Sequence, residues 1–192
     1  MQKPSSSFVL RSSAVKADGI FPKEFTGDGD SISPPLEWSG APPGTQSYAV
    51  IMHHNAPDML KWYWVLYNLP AEVTNLPKDV QGIGTVGNNS VNHRGGYAPP
   101  HSKGPGAKTY ILTVYALSAP PQITVSPSEV SRDVLLAAMK DKILASAELD
   151  VTYTRSGEVQ DGGNNPRPGQ ERRPPRDSNP PDNDQRPPPL NH

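Results

Sequence analysis

The sequence predicts a mainly β fold, a sandwich closed by one late helix and a final strand. Three observations carry that expectation. Short runs dense in β-branched and aromatic residues recur at Tyr48–Met52, Trp62–Tyr67 and Tyr110–Leu117. Turn-forming Gly, Pro, Ser and Asn separate them, and only one stretch keeps helical spacing. Many strands with a single helix bury their apolar faces most simply as two packed sheets.

Taken in order, Phe8–Arg11 reads as a first strand. Asp28–Gly44 is rich in Gly, Pro and Ser and reads as loop structure around Leu36 and Trp38. Tyr48–Met52 and Trp62–Tyr67 are apolar on both faces and should be central strands, with Tyr110–Leu117 a third. Gly82–Ala107 is long, nearly free of aliphatic side chains and rich in Gly, Asn and Pro, which marks a functional loop. Ser126-Pro-Ser-Glu129 has the form of a capping box, with a helix start at Ser131 as the alternative. Val134, Leu135, Ala138, Met139, Lys142, Ile143 and Ala147 then follow a helical period, and Leu149–Thr154 closes the domain as a strand.

Composition divides the chain. Of its 192 residues 24 are proline, and these concentrate after Ser156, where Val159 and Leu190 are the only aliphatic side chains. Such a stretch buries too little apolar surface to offset its ordering entropy. The reading is therefore one domain over residues 1–155 and a disordered proline-rich tail over 156–192. The tail's five Arg are interspersed with six acidic residues, so it is no basic arm. With a formal net charge of −1, the chain has no global field for nucleic acid or an anionic membrane. Cysteine is absent, which excludes disulfides, thiolate metal sites and thiol nucleophiles. No apolar run approaches membrane-spanning length, and Met1–Ser7 shows no signal peptide. A soluble, cytoplasmic protein is expected, exported only if a leader precedes Met1.

Ordered motifs over residues 8–154 then carry a resemblance. Asp28-Gly-Asp-Ser-Ile-Ser-Pro-Pro-Leu-Glu-Trp38 resembles the D-G-x-x-x-S-P-P-L-x-W segment of the phosphatidylethanolamine-binding protein family. His53-His-Asn-Ala-Pro57 sits where that family carries D-P-D-A-P. Tyr63-Trp-Val-Leu-Tyr-Asn-Leu-Pro70 is similar to the H-W-V-x-Y-N-I-P strand of its bacterial, Raf-kinase-inhibitor-like branch. Tyr97-Ala-Pro-Pro100 through Lys108-Thr-Tyr110 resembles G-Y-x-G-P…P-P-x-G…H-R-Y. The resemblance implies a large antiparallel sheet packed on a smaller one, with a shallow pocket for phosphate, carboxylate or phospholipid head groups.

By that resemblance the ligand-binding set is His53, Asn55, Tyr63, Tyr97, Pro100, Lys108 and Tyr110. Strand alternation should bring His53 and Asn55 together and turn His54 away, and should place Lys108 beside Tyr110 on one face. Both family aspartates and both pocket histidines are replaced, leaving donors: the Lys ammonium, Tyr hydroxyls, the Asn amide and His. An anion site with weakened selection for an amine-bearing head group is the expected consequence. Adjacent His53 and His54 do not suit one metal ion, no cofactor is expected, and Gly82-Ile-Gly-Thr-Val-Gly87 does not match G-x-G-x-x-G. No G-x-S-x-G elbow is present, and Ser102 beside His101 is too generic for a triad, so no catalytic residue is expected. The competing reading is a protein-interaction or inhibitor module, directed at a kinase or protease, using the domain surface or the tail. The sequence leaves the oligomeric state open and is compatible with a homodimer.

Overall fold

A computed structural model describes residues 7–101 and 106–155. The reading of 156–192 as a disordered tail falls outside them. Among the described residues eight strands form two antiparallel sheets. The small sheet has the order β1 (Val9–Arg11), β2 (Leu36–Ser39), β5 (Asn75–Leu76). The large sheet runs β6 (Thr85–Val86), β4 (Leu60–Pro70), β3 (Ser47–Asn55), β7 (Ala107–Leu117), β8 (Ile143–Thr154). The expected sandwich is the observed fold, with each apolar run at the centre of the large sheet.

Alternation along β3 sorts the core into two layers. Tyr48, Val50 and Met52 point toward the small sheet and pack with Leu10, Leu36, Trp38, Leu66 and Leu112. Ala49 and Ile51 point the other way and pack with Val65, Tyr67, Leu117, Val130, Leu135 and Met139. The second layer is covered by the short helix α1 (Arg132–Met139), whose inward residues are Leu135 and Met139. A strand buried on both faces has no polar side to display, which is why these runs read as apolar throughout.

Three local expectations change. Leu36–Ser39 is a strand of the small sheet, not loop: Leu36 and Trp38 turn into the core while Glu37 and Ser39 face out. Four residues between Pro-Pro and Gly are too short to stand out against their turn-rich flanks. The helix begins at Ser131, whose hydroxyl accepts from the Val134 amide at 3.2 Å. The upstream Ser126 starts only a single 3-10 turn over Pro127–Glu129, where the Glu129 carboxylate accepts from the Ser126 amide and hydroxyl. The helix also ends at Met139, and Ile143–Ala147, expected as its last turns, opens β8 instead. There β8 forms a ladder with β7 from Leu117↔Ile143 to Ala107↔Thr154, and that pairing overrides the helical period.

The Gly82–Ala107 loop is anchored more firmly than its composition promises. Thr85–Val86 adds to the edge of β4, and the Asn89 side chain bonds the Arg94 carbonyl and the Val91 and Asn92 amides. At Gly87 a Cβ would fall 2.5 Å from the Val130 carbonyl and 2.8 Å from Val65. Close approach of backbones is therefore what this glycine supplies, and no phosphate cradle is formed there.

Candidate functional site

The site lies on the small-sheet face of the large sheet, toward the end of β3, β4 and β7. Tyr110 is 2 % exposed, and its ring meets that of Tyr63 edge-on, centroids 5.4 Å apart. The imidazole of His54 lies against the other side of Tyr110 at 5.3 Å, with Nδ1 held 2.7 Å from the Thr109 carbonyl. Half-buried Lys108 precedes Tyr110 by two residues and pairs with Tyr153 of β8, so both lie on the same face.

Tyr63 reaches this face through a break in register. The pairing passes from Met52↔Trp64 to His53↔Trp62, leaving Tyr63 as an extra residue in β4. Such a bulge re-aims a side chain, and here Tyr63 joins Trp64 in the same core layer.

His54, not His53, accompanies Tyr110, which corrects the expected pairing of His53 with Asn55 in the pocket. The inward series Tyr48, Val50, Met52 continues into His54. His53 pairs with Trp62 and Ile111 on the α1 side, and exposed Asn55 alternates to that side too. The sequence reading takes His53 and Asn55 from the positions of the family's two aspartates, and the two do share a face, but the side that carries Tyr110 is the one set by Tyr48, Val50 and Met52. One residue of difference exchanges the two faces.

The two remaining expected residues, Tyr97 and Pro100, make structural contacts. The Tyr97 hydroxyl donates to the Phe25 carbonyl at 2.5 Å, and its ring stands edge-on to Trp64, so it ties the loop to the core. Buried Pro100 accepts the Gly27 amide on its carbonyl at 2.9 Å. His101 follows directly, with its Nδ1 only 2.7 Å from where a Gly27 Cβ would stand. Ser102 lies outside the described residues.

Three residues join the neighbourhood that the sequence reading did not select. The Tyr153 hydroxyl donates to Asp28 Oδ2 at 2.7 Å, and Arg155 Nε lies 3.3 Å from Oδ1. The Asp28 carboxylate thus joins the D-G-D loop to the last strand. Asp28 heads the motif that carried the resemblance, and that was a usable signal; Tyr153, near the end of β8, and Arg155, just beyond it, offered none.

Electrostatically the site is a set of donors. Burial first, then the neighbouring Tyr63 and Tyr153, pushes the Tyr110 hydroxyl well above its ordinary range. Burial likewise raises Tyr63 and, together with Tyr110, Tyr97. These hydroxyls keep their protons throughout the neutral range; that of Tyr97 is committed to the Phe25 carbonyl, and those of Tyr63 and Tyr110 can donate to an oxyanion. Among the described residues no three His, Asp or Glu converge on a metal position.

Two antiparallel sheets packed face to face, with Tyr63, Tyr110 and Lys108 on one face of the larger, define the architecture. The family model described as phosphatidylethanolamine-binding protein matches residues 11–154, and the chain belongs to that family. A UPF0098 protein of Methanothermobacter thermautotrophicus is 32 % identical over 151 residues, covering 76 % of this chain and 98 % of its own. One from Chlamydia muridarum is 37 % identical over 153 residues, covering 75 % and 97 %. Among solved structures, a phosphatidylethanolamine-binding protein homologue of Chlamydia trachomatis superposes with a TM-score of 0.71 at 30 % identity, covering 79 % of this chain and 99 % of its own. Escherichia coli YbcL gives 0.69 at 28 %, covering 77 % and 98 %.

Proposed function

We propose that this chain is a non-enzymatic binding protein for a small ligand bearing a phosphate or carboxylate group, such as a phospholipid head group. The observation that carries the reading is the convergence of Tyr63, Tyr110 and His54 on the face shared by Lys108. The Tyr63 and Tyr110 hydroxyls can each donate a hydrogen bond, Lys108 adds a positive charge, and His54, whose Nδ1–H is held by the Thr109 carbonyl, packs against Tyr110. The nearby carboxylate of Asp28 is already engaged by Tyr153 and Arg155. A ligand anion therefore meets donors, while an ammonium group finds no free carboxylate among these residues. Selection rests on the anionic end of the ligand.

Calorimetry with inorganic phosphate and phosphoethanolamine tests this. The expectation is comparable affinity for both and a roughly tenfold loss in Lys108→Ala, the scale of one charge-assisted hydrogen bond of about 1.5 kcal/mol. Unchanged phosphate affinity in the variant, or strong preference for phosphoethanolamine, overturns it.

A further inference from the structure

The opposite face of the large sheet, under α1, carries a second concentration of polar groups that the tyrosine site does not use. Four buried side-chain polar atoms have no hydrogen-bond partner among the described residues, and three of them lie on this face: His53 Nδ1, Thr113 Oγ1 and Arg132 Nε. His53 is 8 % exposed and Thr113 2 %. The register His53↔Ile111 and Ile51↔Thr113 makes Thr113 the diagonal neighbour of His53 across β3 and β7. Arg132 opens α1 over this face with its Nε buried; burial and then its charge lower the His53 pKa, while burial raises that of Tyr115 and the Arg132 charge offsets part of the rise.

These groups share one capacity. Arg Nε can only donate, the Thr hydroxyl can donate, and neutral His donates from Nδ1 in one tautomer. Among the described residues the guanidinium's one ion pair is with Asp133 at 3.5 Å, and that carboxylate is 84 % exposed. Its inward edge thus carries positive charge into a buried layer without a buried counter-charge, an arrangement stable only when the charge is compensated. The first turn of α1 adds its own positive end and free amides. The other ionisable groups on this face are Glu148 and Asp150 of β8 and Tyr115 of β7, and neither carboxylate is within ion-pair distance of Arg132. A complement to these groups must accept hydrogen bonds and, lying between a sheet and the helix packed upon it, must be small.

We propose that His53, Thr113 and Arg132 form a halide-sized anion site beneath the start of α1, on the sheet face opposite the tyrosine site. Crystals grown without halide and soaked in bromide test it by anomalous scattering. The expected result is a bromide peak bounded by His53 Nδ1, Thr113 Oγ1 and Arg132 Nε, absent in Thr113→Val, a shape-conserving change chosen to leave the fold intact. In solution, bromide replacing gluconate at constant ionic strength should raise the titration midpoint of His53 in the wild type and not in that variant. Water density at the position, or a His53 midpoint indifferent to bromide, overturns the proposal.

Discussion

At the residue scale, what matters is which side chains share a face. Lys108 and Tyr110 were legible as neighbours because both lie within one unbroken strand, where alternation suffices. His54 was not, because the motif anchored the reading at His53 and Asn55 while alternation is inherited from the buried run Tyr48–Met52. Tyr63 was legible only through the family motif, because the bulge that aims it depends on the pairing partner and has no local signature. Removal of the Tyr110 hydroxyl in Tyr110→Phe is expected to weaken phosphate binding by about three- to tenfold with little change in thermal stability, the scale of one hydrogen bond of about 1 kcal/mol. Calorimetry beside thermal denaturation checks both halves of that statement.

His53 gives the pH dependence. Burial, then the Arg132 charge, depresses its pKa below the ordinary 6.5. The folded state therefore favours the neutral ring, while the unfolded chain takes up its proton near the ordinary value. The stability this contributes is fully present above pH 6.5 and is lost as pH falls through that value toward the depressed one. Urea midpoints measured from pH 7.5 to pH 5 should fall more steeply in the wild type than in His53→Gln. Parallel curves would show that His53 does not carry the effect.

At the element scale, the strands were legible and the helix boundaries were not. Tyr48–Met52, Trp62–Tyr67 and Tyr110–Leu117 announce themselves because both faces are buried, whereas Leu36–Ser39 earns strand geometry only by lying between β1 and β5. Ile143–Ala147 fits a helix by spacing and a strand by pairing, and eleven residues of β7 decide the matter. The two serines that compete as helix starts can be separated by stability. Ser131→Ala removes the bond to the Val134 amide and is expected to cost about 1 kcal/mol, and Ser126→Ala, outside α1, clearly less. Equal losses in chemical denaturation would place the start of the cooperative helix elsewhere.

The whole molecule sets two chemically different faces on one sheet. The sandwich could be read from the sequence because periodicity and turn residues report burial, and burial is what two packed layers require. The site could be read only in part, since it is assembled from the ends of β3, β4, β7 and β8 and the loops at Asp28 and Pro100. Those segments are far apart in the chain and are brought together by long-range pairing. The Gly87 contact with the Val130 carbonyl ties the long loop to the start of the helical region. Gly87→Ala is accordingly expected to destabilise the fold by about 1–3 kcal/mol, as overpacking does elsewhere, measurable as a lowered urea midpoint.

The most direct test of the binding assignment is a crystal soaked in phosphate, read by difference density at the ends of the central strands. The account predicts a tetrahedral peak in contact with Lys108 Nζ and the Tyr110 hydroxyl, with Tyr63 and His54 at its margin. A phosphate bound elsewhere, with that face left unoccupied, would contradict it.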